Sequence, residues 1–327
     1  MTSTAPTAPS GDSAYTPRRA RSAAATDALW GWFFVAPFLL VAAVFLIGPI
    51  FYSAVISFYE TTLYSSWFDQ FGTMRFVGFG NYRDLFADTA FWWSLVATAV
   101  YAALVIPTGI FVSLLLALAL NPRLTGYKAL RSAFFLPHVF DVFVVGVIWL
   151  LLYQKDGPFD RLFQLVGVTL FHEKGFLGNP YTILPSIAFA MVVKGMGFGM
   201  ILFTTALNNV PDSIFEAADI DGCSPRQKFW HVTVPMLRPM ILFQAVTGLT
   251  GVLNAFTEFY AFTNGGGGPP LPFLGATVQS ARTAGFHLFR FFDESQYGHA
   301  AAMSFILLGV ALAITAVNFR VLGEREQ

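Results

Sequence analysis

Three ionisable residues interrupt stretches of the sequence that are otherwise apolar. They are Asp141, Lys194 and Glu258. A charge within a membrane helix costs about 2.5–3.5 kcal/mol on insertion scales, so such residues usually face a cavity or a partner charge. The sequence leaves open whether Lys194 forms an ion pair with Asp141 or Glu258, or contacts a polar solute.

A stripe of small and polar residues ends at Glu258. It consists of Gln244, Thr247, Gly251, Asn254 and Glu258. Spacings of three, four, three and four residues place them on one face of an unbroken helix. One interpretation is a seam along which helices pack closely. The other is a water-filled path whose hydroxyl and amide groups bind a polar solute. The same two interpretations, a packing seam or a lining of the path, apply to the glycines that follow Lys194, which are Gly195, Gly197 and Gly199.

The sequence contains no motif for catalysis or nucleotide binding. A Walker A loop needs glycine immediately before its lysine, and none of the five lysines follows a glycine. Cys223 is the only cysteine, which excludes an intrachain disulfide and a multi-cysteine metal site. The five histidines are far apart, and no Ser/His/Asp set has a recognisable spacing. A membrane-embedded enzyme therefore lacks support, and the sequence predicts a chain with no ATPase site of its own.

The composition is that of an integral membrane protein. The 327 residues are 55% hydrophobic and 12% charged, whereas soluble domains carry about 25% charged residues. The mean hydropathy is +0.60, and phenylalanine occurs 37 times. Nineteen basic residues balance nineteen acidic ones, which removes the case for a nucleic-acid partner.

Six apolar stretches predict an all-α membrane protein with six transmembrane helices. They cover about 29–58, 93–119, 133–153, 182–207, 240–262 and 297–319. The predicted membrane domain, 28–320, lies between a tail at 1–27, whose composition predicts disorder, and a short tail at 321–327. The tails and the loops expected on their side carry eleven Lys and Arg, against seven on the other side. This bias predicts a multi-pass protein of the cell membrane with both termini in the cytoplasm.

The loop 212–231 has the local signals of two short helices joined by a turn. Its capping and turn residues are Asp212 or Ser213, then Gly222, Ser224 and Pro225. Phe229 and Trp230 add apolar surface. An ordinary connection between two spans rarely needs such features, so the loop is expected to dock on a soluble partner.

This loop resembles the EAA loop of ABC importer permeases. The matching residues are Glu216, Ala217, Ala218, Asp221, Gly222, Val234, Pro235 and Pro239. Cys223 stands where that family usually has alanine. In that family the loop forms a coupling helix in a cleft of the cytoplasmic ATPase. The resemblance implies coupling roles for Glu216, Ala217, Ala218, Asp221 and Gly222, together with Phe229.

Further motifs resemble maltose-type (CUT1) carbohydrate importer permeases. They are Phe76–Tyr82, Phe135–Pro137 followed by Trp149, and Phe259–Pro269. The loop 154–182 is too short for the large periplasmic domain that some members carry. The resemblance implies a second permease in a heterodimer, two cytoplasmic ATPase domains that bind ATP and Mg, and an extracytoplasmic solute-binding protein.

Lys194, Thr247, Gly251, Asn254 and Glu258 are the expected solute contacts. Uncharged polar groups favour a sugar or polyol over glycerol 3-phosphate, because a phosphate calls for several basic groups and Lys194 is the only one within the spans. The alternative is a secondary transporter that works alone, with Asp141, Lys194 and Glu258 as ion-coupling groups. It leaves the EAA-like loop unexplained.

Overall fold

Long apolar helices dominate the computed structural model, which describes residues 18–61, 74–120, 125–168 and 173–323. Residues up to Val55 form one compact unit and those from Ile56 onward a second. The first unit contains α1 (Arg18–Ala42), a π-helical turn (Ala43–Ile47) and α2 (Gly48–Ile56) up to its last residue, which begins the second unit. Residues 18–27, predicted as part of a disordered tail, are helical, because the alanine-rich segment favours continuation of the apolar helix. Residues 1–17 lie outside the described chain.

The first half of the second unit contains two long helices and a broken one. Its elements are β1 (Tyr59–Glu60), β2 (Arg75–Phe76), α3 (Gly80–Ala87), α4 (Thr89–Ala119), α5 (Tyr127–Val139), α6 (Val142–Leu152), α7 (Pro158–Leu165) and α8 (Ile183–Asn208). β1 and β2 pair antiparallel, with Tyr59 opposite Phe76. α4 and α8 pack along their length, with Tyr101 and Ile187 in the shared core.

The second half contains the loop, another broken helix and a hairpin. Its elements are α9 (Asp212–Ile220), α10 (Pro225–Lys228), a π-helical turn (Phe229–Thr233), α11 (Val234–Met236), α12 (Arg238–Leu253), α13 (Thr257–Thr263), β3 (Pro270–Phe273), β4 (Ala276–Gln279), α14 (Ala284–Asp293) and α15 (Tyr297–Gly323). In the hairpin, Phe273 pairs with Ala276. Its two-residue turn, Leu274–Gly275, has positive φ at both positions, as a type I′ turn requires.

Four helical segments of the described chain are long and apolar enough to cross a membrane. They are Trp30–Ile56, Thr89–Ala119, Ile183–Asn208 and Tyr297–Ala316. The number rises to six if each of two bent pairs counts as one span: Tyr127–Val139 with Val142–Leu152, bent by 102°, and Pro225–Met236 with Arg238–Leu253, bent by 63°. The all-α class agrees with the sequence prediction, and four to six candidate spans are compatible with the predicted six. The second bent pair begins at Pro225, inside the predicted coupling loop, rather than at residue 240.

The third predicted span, 133–153, breaks between Val139 and Val142. Pro137 lacks the amide hydrogen that would continue the helical ladder. Asp141 then starts the next helix, since its Oδ1 accepts a hydrogen bond from the Phe143 amide at 2.8 Å. Asp141 is therefore a helix cap rather than a residue inside a continuous span.

The fifth predicted span, 240–262, also breaks, and this corrects the predicted single helical face. α12 ends at Leu253, and α13 begins at Thr257. Asn254 Nδ2 donates to the Thr250 carbonyl oxygen at 2.9 Å, a local bond that competes with continuation of the helix. Glu258 thus lies on a different helix from Gln244.

Candidate functional site

The loop 212–231 folds into two helices joined at a glycine, as the sequence predicts. Gly222 has a φ of +71° and follows Asp221, the C-cap residue of α9. Ser224 forms a capping box with Gln227: the Ser224 amide donates to Gln227 Oε1 at 2.8 Å, and the Gln227 amide donates to Ser224 Oγ at 3.4 Å. Lys228 pairs with Asp219, which ties α10 to α9. The loop is therefore an ordered structural element.

One capping prediction for this loop is wrong. Neither Asp212 nor Ser213 caps α9, because the N-cap position is taken by Pro211 and Asp212 is already the first helical residue. A carboxylate in the first turn still interacts favourably with the positive end of the helix dipole.

Most of the predicted coupling residues lie on the surface of the loop. Glu216, Ala217, Asp221 and Gly222 are exposed. Two large apolar side chains of the same loop are exposed as well, Ile220 by 86% and Trp230 by 58%. Exposed apolar groups of this size mark a contact surface when they occur together.

The two remaining coupling residues are at least partly shielded from solvent, and Phe229 packs against the helices. Ala218 is buried, and Phe229 is half-buried against a cluster that contains Met200, Phe203 and Leu237. The loop thus has an outward face of mixed charge and apolar surface, and an inward face anchored on α8 and the start of α12.

A cavity of about 250 Å³ lies among α4, α8 and α12. Its polar lining consists of Ser113, Gln244 and Thr247. Four glycines, Gly109, Gly195, Gly199 and Gly248, also line it. Among the described residues that form its wall, none is charged.

The glycines of this region fall into two groups: some allow helices to pack closely, and others have free space where a Cβ would lie. A Cβ at Gly197 would overlap the Phe134 carbonyl oxygen, and one at Gly199 would overlap Ser113 Oγ. These two glycines therefore permit close helix packing. A Cβ at Gly195 or Gly251 would meet nothing within 4 Å in the described chain. Packing within this chain therefore does not explain those two.

Lys194 contacts a helix end. Its Nζ donates to the His138 carbonyl oxygen at 3.3 Å. In the described part of the chain it makes no ion pair within 4.0 Å, so neither the pair with Asp141 nor that with Glu258 forms in this structure. The break after Val139 leaves the last carbonyl groups of α5 without helical partners, and Lys194 satisfies one of them.

The outer part of the polar stripe lies away from the cavity. Glu258 Oε1 accepts a hydrogen bond at 3.3 Å from the hydroxyl group of Tyr101, which is 2% exposed. Thr247 lines the cavity, but Gly251, Asn254 and Glu258 are not among the described residues of its wall. Solute contacts by these residues and by Lys194 stay predictions.

The part of the chain that contains the cavity and the loop matches a known family. Residues 109–321 match the model described as "Binding-protein-dependent transport system inner membrane component". This chain belongs to that family. The predicted ABC importer permease is thereby confirmed, and the chain is the membrane component of a binding-protein-dependent transport system.

Similar permeases extend over almost the whole chain. The lactose transport permease LacF of Rhizobium radiobacter is 31% identical over 301 residues, 90% of this chain and 95% of LacF. The trehalose/maltose permease MalF of Thermococcus litoralis is 27% identical, over 90% of this permease and 94% of MalF. The sn-glycerol-3-phosphate permease UgpA of Yersinia pestis is 29% identical, over 88% and 91% of the two chains.

The fold of the permease is also found in a solved structure. A bacterial ABC transporter that imports the acidic polysaccharide alginate contains a similar chain, with a TM-score of 0.73 and 20% identity. The match covers 94% of this permease and all of that chain. It shows that the helices of the permease share the architecture of ABC transporter membrane subunits.

Sequence reasoning did not assign two polar residues of the cavity to the site. Ser113 lies in an apolar run of α4 and gives no periodic signal. Gln244 belongs to the polar stripe, but its proximity to Gly199 across the cavity, with Nε2 3.5 Å from the Gly199 oxygen, depends on how α8 and α12 pack. Three-helix contacts of this kind have no local signature in the sequence.

Proposed function

We propose that this permease forms part of the transport path for an uncharged sugar or polyol. The observation that carries the proposal is the cavity wall, where Ser113, Gln244 and Thr247 supply hydroxyl and amide groups and the described lining holds no charge. Such groups suit a neutral solute rich in hydroxyl groups. A phosphate or a carboxylate would instead favour arginine or lysine in the wall.

The similar permeases support this substrate class but differ among themselves. LacF and MalF are named for sugars, whereas UgpA is named for a phosphate ester. The described cavity lacks the cations that an anionic substrate needs, so a neutral sugar fits better than glycerol 3-phosphate.

The coupling loop supports a partnership with cytoplasmic ATPases. The permease has no Walker A sequence, and its loop exposes Ile220 and Trp230 as well as Glu216 and Asp221. We infer that two ATPase domains bind ATP and Mg and contact this face. A second permease completes the path, and a solute-binding protein delivers the solute at the opposite membrane face. Both termini are then cytoplasmic, and the membrane is the cell membrane.

Transport by the assembled complex tests this function. The permease, its partner permease and its ATPase are reconstituted in vesicles with the solute-binding protein. We expect ATP-dependent uptake of a neutral oligosaccharide or monosaccharide that glycerol 3-phosphate does not inhibit. The permease alone should hydrolyse no ATP. Uptake driven by a proton or sodium gradient with the permease alone would contradict the proposal.

A further inference from the structure

The break in the fifth span is held by a contact from outside its own helices. Ala255, in the middle of the break, is 3% exposed. Its carbonyl oxygen accepts a hydrogen bond at 2.9 Å from Thr283 Oγ1, and Thr283 is fully buried. A buried carbonyl group that loses its helical partner needs another donor. Thr283, just before α14, supplies that donor.

Gly285 allows the backbone of α14 to approach the same break. A Cβ at Gly285 would lie 2.9 Å from the Ala255 oxygen and 3.0 Å from the Asn254 carbonyl carbon. Any side chain larger than hydrogen would therefore push the break and α14 apart. The two contacts act on adjacent peptide groups and together fix where α12 ends.

The same segment is attached to α4 on its other side. The Ala284 amide donates at 2.8 Å to Thr98 Oγ1, which itself donates to the Ser94 carbonyl oxygen at 2.7 Å. The indole nitrogen of Trp93 donates to the carbonyl oxygen of Gln279, the last residue of β4, at 2.8 Å. Hydrogen bonds therefore connect the hairpin end and the segment after it both to α4, a continuous span, and to the break in the fifth span.

Ring contacts extend this attachment along α14. Phe256, the last residue of the break, stacks on Phe289, with ring centroids 4.8 Å apart and an interplanar angle of 16°. Phe286 is fully buried in the same core cluster as Val252 and Phe259. α14 and the break therefore form one packed unit.

We infer that Thr283 and Gly285 are positioning residues that couple the hairpin end of the permease to the cavity. A displacement of the hairpin and α14 is transmitted through Ala255 to α12, which carries Gln244 and Thr247 in the cavity wall. This inference rests on the proposed function, in which the solute-binding protein acts at the membrane face opposite the coupling loop. The hairpin follows the loop by one span along the chain, which assigns it to that opposite face. Thr283 and Gly285 touch no solute in this scheme.

The test measures how strongly the loaded solute-binding protein stimulates ATP hydrolysis by the full complex. Thr283→Val removes the hydrogen bond with little change of shape, and Thr283→Ser keeps it. Gly285→Ala disturbs the same contact independently. Thr250→Val is the matched control, since in the described chain the Thr250 hydroxyl group donates to the Val246 oxygen of its own helix, at 3.1 Å, and to no other helix. Co-purification of the subunits shows that each variant assembles.

Stimulation is expected to fall by about fivefold or more in Thr283→Val and Gly285→Ala, the lower end of typical coupling between distant sites. Thr283→Ser and Thr250→Val should keep the wild-type ratio. Wild-type stimulation in both Thr283→Val and Gly285→Ala, or an equal loss in Thr250→Val, overturns the inference and leaves the proposed function standing. A wild-type complex that the binding protein does not stimulate overturns the proposed function and, with it, this inference.

Discussion

The side-chain amine of Lys194 donates a hydrogen bond to the backbone carbonyl of His138, 3.3 Å away on the neighbouring helix. The contact closes the end of α5 at the point where the third span breaks. The His138 ring stacks on Phe198, one turn beyond Lys194, with centroids 4.7 Å apart. The bend between α5 and α6 is therefore fastened to α8 by a polar contact and a ring contact.

We predict that Lys194→Met lowers stability more than it changes solute choice. A hydrogen bond to a charged group contributes about 1.5–3 kcal/mol, and the exposed part of this side chain reduces that value. The thermal midpoint of the purified complex should fall, while the order of preference among competing sugars stays the same. Lys128→Met, at an exposed position of α5, is the control and should leave the midpoint unchanged. A change of solute preference in Lys194→Met would show that the lysine contacts solute.

A second prediction concerns the cavity wall. In a Cys223→Ser background, Gly195→Cys and Thr247→Cys should react with a small water-soluble thiol reagent, and the transported sugar should protect them. Glu258→Cys should react more slowly, because its position is partly buried beside Tyr101. Val246→Cys, on another face of α12 and 37% exposed, shows the rate for a position outside the cavity. Equal rates at 195, 246 and 247 would contradict a solute path through this cavity.

The exposed loop gives a third prediction. Ile220→Asp should impair solute-stimulated ATP hydrolysis by the complex without lowering its thermal midpoint, because this side chain is 86% exposed and has little packing to lose. Leu165→Asp on α7, where the side chain is 85% exposed, is the control. Impairment should be confined to the loop variant. If both variants hydrolyse ATP like the wild type, Ile220 lies outside the contact with the ATPase.

Gly222 allows a fourth prediction within the same loop. Its φ of +71° lies in the left-handed region, which costs other residues roughly 1–2 kcal/mol. Proline, with φ fixed near −65°, cannot adopt it. Gly222→Pro should therefore uncouple ATP hydrolysis from transport, whereas Gly222→Asn, which tolerates positive φ, should retain most coupling. The ratio of ATP hydrolysed to sugar taken up distinguishes the two variants.

His287 makes the stability of the permease depend on pH. It is 3% exposed and lies on α14, outside the candidate spans. Burial, reinforced by the charge of Arg282, lowers the His287 pKa to about 4, although Asp88 acts in the opposite direction. The unfolded chain, with a pKa near 6.5, binds more protons between these two values, so stability falls as the pH drops from about 6.5 towards 4.

At pH 5, about 1.5 units below the pKa of the unfolded chain, we expect the free energy of unfolding to be lower by about 2 kcal/mol. Each pH unit in this range accounts for about 1.36 kcal/mol. Thermal midpoints at pH 7.5 and pH 5 measure this loss. His287→Gln, which is uncharged at both values, should show a smaller drop between them. An identical drop in the wild type and the variant would assign the pH dependence to other groups.

Local signals in the sequence predicted the loop well. Gly222 and Ser224 each determine the backbone within a few residues of their own position, and both adopt the predicted conformations. Asp212 illustrates the limit of such signals, because Pro211 begins the helix one residue earlier than the cap pattern indicates.

The break at Asn254 was beyond sequence reasoning for a different reason. No proline or glycine marks residues 254–256, and the periodic spacing of polar residues continues through them. The break depends on Thr283 and Gly285, about thirty residues further along the chain. Lys194 is a similar case, since its acceptor, the His138 carbonyl group, lies 56 residues away.

The helical segments Pro225–Met236 and Arg238–Leu253 meet at an angle of 63° at Leu237, which is 1% exposed. A rotation of the first segment about Leu237 would therefore also displace the second. Gln244 lies seven residues beyond Leu237, about 10 Å along the helix at 1.5 Å per residue. A tilt of the coupling loop by about 10° would therefore move Gln244 by about 2 Å, provided that the two segments turn as one rigid body. A displacement of that length exceeds what a hydrogen bond tolerates, so the amide group of Gln244 would lose its contact with the Gly199 carbonyl oxygen and turn to another partner.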